Sequence, residues 1–275
     1  MRYIFVSDVH GCYDKLISSL NQVNFNSDAD TIVSVGDPFD RGPQSREVLE
    51  FLMSCPNRIL IWGNHDLRLR QLILGGAFPQ SYDKSNGVLE TLQSFCGDNY
   101  RIKEMSIGVQ ILKSNDDCRD VYKLLWQYFD ECVYAAEWPD LVATHAWIPV
   151  LVDNKRTIMD KWGFPISQYI YHYWDQWRNA TAYEWDDASW CNSQVMFTQR
   201  IFIPNKTLLI GHWHSWRFRE MERRIPYSDN EIIDCSTYFY KDKLIAIDGC
   251  SNYDNGGCVN AYVYESDEAP QFIRP

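Results

Sequence analysis

Histidine, aspartate and asparagine residues occur in five short clusters along this sequence, and each cluster directly follows an apolar run. Imidazole nitrogens and carboxylate or amide oxygens bind divalent metal ions, and imidazole and carboxyl groups also transfer protons. Five of the six histidines lie in the clusters, and only His172 lies elsewhere. The candidate site residues are Asp8, His10, Asp37, Asp40, Arg41, Asn64, His65, His145, His212 and His214. This concentration favours a metal site over separate packing roles, because buried polar groups cost free energy unless they are paired or coordinated.

Seven of these side chains are candidate metal ligands, and they mix nitrogen with oxygen donors. Such a mixture suits Mn, Fe or Zn better than an all-oxygen magnesium or calcium site. Seven ligands exceed what one ion uses, so two divalent ions that share a bridging carboxylate are the simplest arrangement. Two ions about 3.5–4 Å apart can clamp a phosphate group and activate water. We therefore predict two divalent metal ions as cofactors, with manganese preferred and iron or zinc as alternatives.

The elements around the clusters alternate between strand and helix patterns in the first third of the chain. The short apolar runs YIFVS, DTIVSV and NRILIW are typical of buried strands, and the apolar residues between them recur at helical spacing. This alternation predicts a layered α/β fold with crossover helices. Loops beyond the carboxyl ends of parallel strands meet at one edge of a sheet, so clusters that are far apart in sequence can form one site.

The 275 residues are predicted to form a single domain with two insertions. The insertions cover about 78–136 and 153–206 and are expected to be helical, the second being rich in Trp and Tyr. Further strand patterns occur in DLVATHAW, KTLLIG, KLIAID and CVNAYVYE, and the tail SDEAPQFIRP is expected to be a surface strand or loop. The aromatic side chains of the second insertion could stack on a nucleobase, but the core of a helical cap is the favoured interpretation.

Composition limits the classes of partner. The formal net charge of −11 argues against a broad basic surface for nucleic acid. The nine cysteines form no CxxC pair, so reduced thiols are expected rather than a disulfide framework. No apolar run approaches the roughly 20 residues of a membrane helix, and the first residues do not read as a signal peptide. A soluble cytoplasmic protein without a membrane partner is therefore expected, with no prediction for its oligomeric state.

The five clusters together resemble the motifs of the calcineurin-like metallophosphoesterases, which are D-x-H, G-D-x-x-D-R-G, G-N-H-[ED], H and G-H-x-H. Here they read SDVHG, GDPFDRG, GNHD, THAW and GHWH. The second motif is similar to that of the phosphoprotein phosphatase branch, which includes phage and bacterial Ser/Thr phosphatases and symmetrical dinucleoside-tetraphosphate hydrolases. The resemblance covers 4–70, 140–147 and 207–215. It implies a layered αββα metallophosphoesterase sandwich with helical insertions that form a cap.

The resemblance also implies a role for each candidate ligand. One ion would be held by Asp8, His10, Asp37 and His214. The other would be held by Asn64, His145, His212 and the same bridging carboxylate of Asp37. The implied reaction is hydrolysis of a phosphate ester by in-line attack of a metal-bound hydroxide, without a covalent phosphoenzyme.

Three further residues would act on the substrate according to the resemblance. His65 would protonate the leaving oxygen, Asp40 would orient that imidazole and raise its pKa, and Arg41 would hold the phosphate through paired hydrogen bonds. Considered alone, Asp40 is better explained as a turn cap and Arg41 as part of a surface ion pair. The complete set of motifs favours the chemical roles.

The chain departs from the phosphoprotein phosphatase pattern at three places. Ser7 replaces the usual glycine, Asp66 replaces the usual glutamate, and the usual second phosphate-binding arginine is missing after His145. Arg178 is the candidate substitute, although an exposed arginine of the insertion is the favoured interpretation. Asp248 is interpreted as structural. The missing arginine concerns the substrate class and leaves the reaction type unchanged.

Three functions follow from these observations. The leading hypothesis is a metal-dependent phosphatase acting on phosphoserine, phosphothreonine or a small phosphate ester. The alternative is a hydrolase of dinucleoside polyphosphates or other nucleotides, whose base-binding pocket would come from the insertions. A non-enzymatic scaffold is the third possibility, and the complete set of ligands argues against it.

Overall fold

The computed structural model of the protein describes residues 1–159, 165–223, 233–254 and 256–275, with the backbone alone for 154–159 and 165–168. The strands in this part of the chain are β1 (Arg2–Val6), β2 (Thr31–Ser34), β3 (Arg58–Leu60), β4 (Ala135–Glu137), β5 (Leu141–Thr144), β6 (Val150–Met159), β7 (Pro165–Tyr173), β8 (Thr207–Ile210), β9 (Tyr238–Tyr240), β10 (Leu244–Ala246), β11 (Tyr262–Glu265) and β12 (Gln271–Ile273). The α-helices are α1 (Tyr13–Gln22), α2 (Ser45–Ser54), α3 (Asn64–Ile73), α4 (Ser81–Ser85), α5 (Val88–Cys96), α6 (Met105–Ser114), α7 (Arg119–Glu131), α8 (Ala182–Ser189), α9 (Ser193–Thr198) and α10 (Ser215–Arg223).

The first sheet has the strand order β11-β1-β2-β3, with β1, β2 and β3 parallel and β11 antiparallel to β1. Side chains of β1 alternate between its two faces, as the two-residue period of a strand requires. Ile4 and Val6 point to the helices on the outer face, and Tyr3 and Phe5 point to the second sheet. Both faces are thus covered, which explains the continuous apolar run.

The second sheet has the order β12-β4-β5-β8-β10-β9, and its central strands β5, β8 and β10 are parallel. Leu209 and Ile245 face the first sheet, whereas Leu208 and Leu244 face the outer helical layer. Trp138 closes the core between the sheets, with its ring centroid 5.0 Å from that of Tyr3. The predicted αββα layering is confirmed by this division into an inner core and two outer cores.

The first predicted insertion is helical, as expected, and contains α4 to α7. It does not form a separate cap. The buried faces of α5 and α7 place Leu92 and Leu125 in the same core as Ile4 of β1 and Leu49 of α2. These helices therefore extend the helical layer of the first sheet, and one of them contributes to the site described below.

The prediction of a helical segment over 153–206 is wrong for its first part. Strands β6 and β7 pair antiparallel and form a two-stranded hairpin. The pairing begins with Val150 opposite Tyr173 and ends with Met159 opposite Pro165. Aromatic and β-branched residues dominate the run PISQYIYHY, and such residues favour the extended backbone over the helix. Helices α8 and α9 follow only later in the segment.

The aromatic residues of this segment divide into a buried and an exposed set. Trp177 and Trp185 are fully buried and pack edge to face, with ring centroids 5.9 Å apart. Both belong to the outer core of the second sheet. Tyr183 and Trp190 are instead 73% and 52% exposed. The buried tryptophans thus have a core role, but in the core of the second sheet and not in that of a separate helical cap.

Two further findings concern membrane helices and cysteines. None of the described helices has the length and apolar character needed to cross a membrane. All nine cysteines are free thiols.

Candidate active site

The five sequence clusters follow the carboxyl ends of five parallel strands. In the first sheet, Asp8 and His10 follow β1, Asp37 follows β2, and α3 begins with Asn64 shortly after β3. In the second sheet, His145 follows β5 and the GHWH segment follows β8. The predicted residues therefore meet at one edge of the sandwich, where loops from both sheets face each other.

The backbone at this edge is unusually strained. Positive φ angles of 48° to 68° occur at the non-glycine residues Asp8, His10, Asp37, Asp40, Arg41 and His212. Left-handed backbone is unfavourable for residues with a Cβ, and such residues concentrate at functional sites where surrounding contacts enforce them. Here hydrogen bonds between the loops supply those contacts, including the one from the His10 amide to the Asp37 carbonyl at 3.1 Å.

Two glycines allow the loops to touch. A Cβ added to Gly63 would lie 2.0 Å from Oδ1 of Asp37. A Cβ added to Gly36 would lie 2.5 Å from Nδ1 of His145, and Gly36 has a φ of +85°. The absence of a side chain at both positions brings Asp37 and His145 within contact distance.

Asp37 is the centre of the site. Its Oδ1 accepts a hydrogen bond from the amide of His65 at 3.0 Å, and its Oδ2 lies 3.2 Å from Nε2 of His145. Asp37 belongs to two groups of closely spaced donor atoms, one with His10 and His65 and one with His145 and His212. A carboxylate shared by two groups fits the predicted bridging ligand.

Two imidazoles are held in the orientation of metal ligands. Nδ1 of His10 donates to the carbonyl of Phe39 at 2.9 Å, and Nδ1 of His145 donates to the carbonyl of Val35 at 2.8 Å. A carbonyl oxygen only accepts, so the hydrogen lies on Nδ1 and Nε2 is directed into the site. Metal-binding histidines are typically oriented by such a bond from the second nitrogen.

The surroundings of His145 support a cation at this point. Its Nε2 faces two acceptors, Oδ2 of Asp37 and Oδ1 of Asn64, the latter at 2.9 Å. Three acceptor atoms that converge in a buried space need a positive charge between them. The chain alone can supply only a proton, and burial opposes that charge, but the Asp37 carboxylate raises the pKa of His145 to about 10. A divalent ion would replace this proton.

Two further candidate ligands, His212 and His214, are held in the neutral form. Burial and the neighbouring His145 lower the pKa of His212 to about 3. Burial and the Arg41 guanidinium lower the pKa of His214 to about 4. Burial acts to raise the pKa of Asp37, but the His145 and His65 imidazoles outweigh it and hold that pKa well below its ordinary value. Neutral imidazoles around an ionised carboxylate are the protonation states that metal ligands require.

His65 and Asp40 form the predicted pair. Nδ1 of His65 lies 2.8 Å from Oδ2 of Asp40, and Thr91 donates from its hydroxyl to Oδ1 of Asp40 at 2.9 Å. Burial acts to lower the pKa of His65, but the Asp37 and Asp40 carboxylates outweigh it, so that pKa is raised. Thr91 lies on α5, inside the first insertion, and no sequence motif identified it.

Arg41 is positioned to receive an anion. Its guanidinium nitrogens lie 2.7 Å from Nε2 of His10 and 3.3 Å from Nε2 of His65. When His65 is protonated, it and Arg41 both present donors to the same space. An anion such as a phosphate would satisfy both.

The first two sequence departures have structural explanations. The Ser7 hydroxyl contacts the Asp8 carboxylate, whose Oδ2 also accepts a hydrogen bond from the amide of His212 at 2.8 Å. Asp66 accepts from the amides of Asp37 at 3.0 Å and Gly63 at 2.9 Å, so it ties these two loops together.

Arg178 does not reach the site. Its guanidinium pairs with the Glu137 carboxylate, which also lies 2.8 Å from Nζ of Lys206. Glu137 is opposite Val142 near the beginning of β5, whereas His145 follows the end of that strand. Arg178 as a phosphate-binding residue is therefore wrong, and its charge serves the buried Glu137.

His214 stands apart from the Asp37-centred groups among the described residues. Its Nε2 lies 3.8 Å from Oδ2 of Asp248, and these two form a third donor group with Cys250. Asp248 also accepts a hydrogen bond from the Cys250 amide at 2.8 Å. The place of His214 on the first ion therefore remains a prediction, and Asp248 is a site neighbour that its sequence context did not identify.

The family model for calcineurin-like phosphoesterases matches residues 1–231. The chain belongs to this family. Its members are metal-dependent hydrolases of phosphoric esters, and the αββα layering and the His/Asp groups described above agree with that class.

Curated relatives match a shorter part of the chain. The symmetrical bis(5'-nucleosyl)-tetraphosphatases of Salmonella paratyphi B and Salmonella typhimurium are 42% identical over 91 residues. This alignment spans 33% of the chain and 32% of each relative.

Solved structures with similarity over nearly the whole chain are more distant in sequence. A metallophosphoesterase from Sphaerobacter thermophilus is 18% identical with a TM-score of 0.45, covering 100% of this chain and 88% of that one. A protein serine/threonine phosphatase from Saccharomyces cerevisiae is 12% identical with a TM-score of 0.43, covering 98% and 82%.

The substitution Asp40→Asn tests the role of the His65 pair. The acid form of His65 has its proton below its pKa and loses it as the pH rises through that value. Removing the Asp40 charge lowers the pKa, so the alkaline limb of the kcat–pH profile moves to lower pH and the rate there falls at least about tenfold. Asp98→Asn, at an exposed residue, is the matched control. An unshifted alkaline limb in Asp40→Asn would contradict this role.

The substitution Gly63→Ala tests the close approach at Asp37. The added methyl group displaces the Asp37 carboxylate, so Mn²⁺ affinity measured by calorimetry falls about 10- to 100-fold, as for other supports of metal ligands. Gly75→Ala is the control, because Gly75 does not have a positive φ and the nearest atom to the added Cβ, the Gln71 carbonyl oxygen, would lie 3.0 Å away. Equal affinities in the two variants would show that Gly63 does not control the geometry of Asp37.

Proposed function

We propose that this chain is a two-metal phosphohydrolase whose substrate is a dinucleoside polyphosphate. The observation that carries the hydrolase is the position of Asp37, whose carboxylate is shared by two groups of histidine donors. The substrate class rests on the curated relatives, which are named symmetrical bis(5'-nucleosyl)-tetraphosphatases. We thus prefer the alternative over the leading expectation of a phosphomonoesterase.

We infer the same division of ligands between the two ions that the sequence predicts. Asn64, His145 and His212 with Asp37 would hold one ion, and Asp8 and His10 with Asp37 would hold the other, joined by His214. The mixed nitrogen and oxygen donors favour manganese, with iron or zinc as alternatives. When bound, two such ions supply activation of water and neutralisation of charge on the phosphoryl oxygens.

The remaining site residues bind the substrate and move a proton. Arg41 holds the phosphoryl group that is attacked, because its guanidinium and the His65 imidazole face the same space. His65 donates its Nε2 proton to the leaving oxygen. Asp40 accepts from Nδ1 of His65 at 2.8 Å, which fixes the ring and favours its protonated state.

The substrate class decides how much the leaving oxygen depends on His65. An alkoxide from phosphoserine is strongly basic and needs a proton to leave. A nucleoside diphosphate is a much weaker base and leaves more readily. Loss of a general acid, which typically contributes about 10²–10⁴-fold, is therefore more harmful for the ester than for the anhydride.

The direct test compares diadenosine tetraphosphate with a phosphoserine peptide, using the Mn²⁺-loaded chain and its His65→Asn variant. We expect the tetraphosphate to be cleaved to two ADP molecules with the higher kcat/KM, and the variant to lose a smaller factor on it than on the phosphoserine peptide. Nucleotide products are resolved by chromatography, and released phosphate is measured in parallel.

Peptide turnover with an inert tetraphosphate would overturn the proposed substrate and return the chain to the phosphatases of monoesters. Inactivity of the metal-loaded chain on both substrates would instead support a binding scaffold.

A further inference from the structure

Arg217 lies at the beginning of α10, three residues after His214. Its amide donates to the carbonyl of His214 at 3.0 Å. Its guanidinium carbon lies 3.9 Å from the ring centroid of Trp216. Trp216 is buried and its ring is stacked beside His214 with centroids 6.3 Å apart. The indole thus connects the guanidinium of Arg217 to an imidazole of the site.

The charges of Arg217 and Arg41 both affect the pKa values of two neighbouring rings, His214 and Tyr253. His214 and Tyr253 pack edge to face with centroids 5.1 Å apart. Burial is the main cause that lowers the pKa of His214, and Arg41 and then Arg217 add to it. For Tyr253, burial raises the pKa and the charges of Arg217 and Arg41 oppose that rise. The rings of Trp216, His214 and Tyr253 thus form a continuous row of contacts that leads from the Arg217 guanidinium to the site.

Arg178 is not available to bind a phosphate at the site, because it is paired with Glu137 at the other end of the second sheet. The guanidinium of Arg217 is held more weakly than that of Arg178. Its ion pair with Glu220 is 3.6 Å long, which exceeds the length of a charge-assisted hydrogen bond. Its side chain is 43% exposed. A phosphate can thus attract this guanidinium without breaking a buried pair.

We propose that Arg217 binds the second phosphate of a polyphosphate substrate and thereby selects a phosphoric anhydride over a phosphate monoester. This inference rests on the proposed function. Arg41 would hold the phosphoryl group that is attacked, and Arg217 would hold the neighbouring phosphate, which a monoester lacks. A guanidinium stacked on an indole keeps its edge free for parallel hydrogen bonds to phosphate oxygens.

The test compares kcat/KM of wild type and Arg217→Gln on diadenosine tetraphosphate and on p-nitrophenyl phosphate. We expect a loss of about 10- to 100-fold on the tetraphosphate, the size of one charged hydrogen-bonding group, and a much smaller loss on the monoester. Most of the loss should appear in KM. Arg217→Lys should recover part of it, because the charge is kept but the paired geometry is lost.

Arg219→Gln is the matched control on the same helix. Arg219 pairs with Asp234 and Ser236, so this variant tests α10 without touching the proposed phosphate contact. We expect the ratio of the two kcat/KM values to remain that of wild type. Equal losses on both substrates in Arg217→Gln, or none on the tetraphosphate, would overturn the inference.

A second readout separates failure of this inference from failure of the proposed function. If wild type hydrolyses only the monoester, the proposed substrate is wrong. Competitive inhibition of that reaction by ADP and by inorganic phosphate then tests Arg217 alone. Weaker inhibition by ADP in Arg217→Gln, with unchanged inhibition by phosphate, supports a second phosphate contact, and unchanged inhibition by both rejects it.

Discussion

The Asp37 carboxylate is buried, and a buried negative charge must be compensated by partners of opposite charge or by hydrogen bonds. Its Oδ1 accepts from the His65 amide, and its Oδ2 faces the His145 imidazole. The strained loops surround this contact. Position 63 requires glycine, because a Cβ there would occupy the place of the carboxylate. Two of the three candidate donor groups among the described residues depend on this one side chain.

The sandwich makes that contact possible. Asp37 comes from the first sheet, and His145 and His212 come from the second, so the site spans both. The relative position of the two sheets is set by the inner core, in which the Phe5 ring lies 5.3 Å from that of Trp138. Close packing of this core is rigid and thus holds ligands from separate sheets at a fixed distance.

Much of the site could be predicted because each ligand pair lies in a short motif at a strand end, and strand ends converge in any such fold. The sequence does not predict the hairpin of β6 and β7, because its many aromatic residues are also typical of the core of a helical cap. Thr91 could not be predicted in its present role, since its contact with Asp40 depends on the packing of α5 against a loop that is distant in sequence. The exclusion of Arg178 likewise required the position of Glu137.

The number and coupling of bound metal ions test the bridging role of Asp37 most directly. Wild type, Asp37→Asn and the exposed control Asp28→Asn are titrated with Mn²⁺ and measured by native mass spectrometry and electron paramagnetic resonance. The account predicts two ions per chain with exchange-coupled spectra in wild type and Asp28→Asn, and loss of the coupling in Asp37→Asn. One ion per wild-type chain, or two ions whose spectra show no coupling, would contradict a centre built on a shared carboxylate.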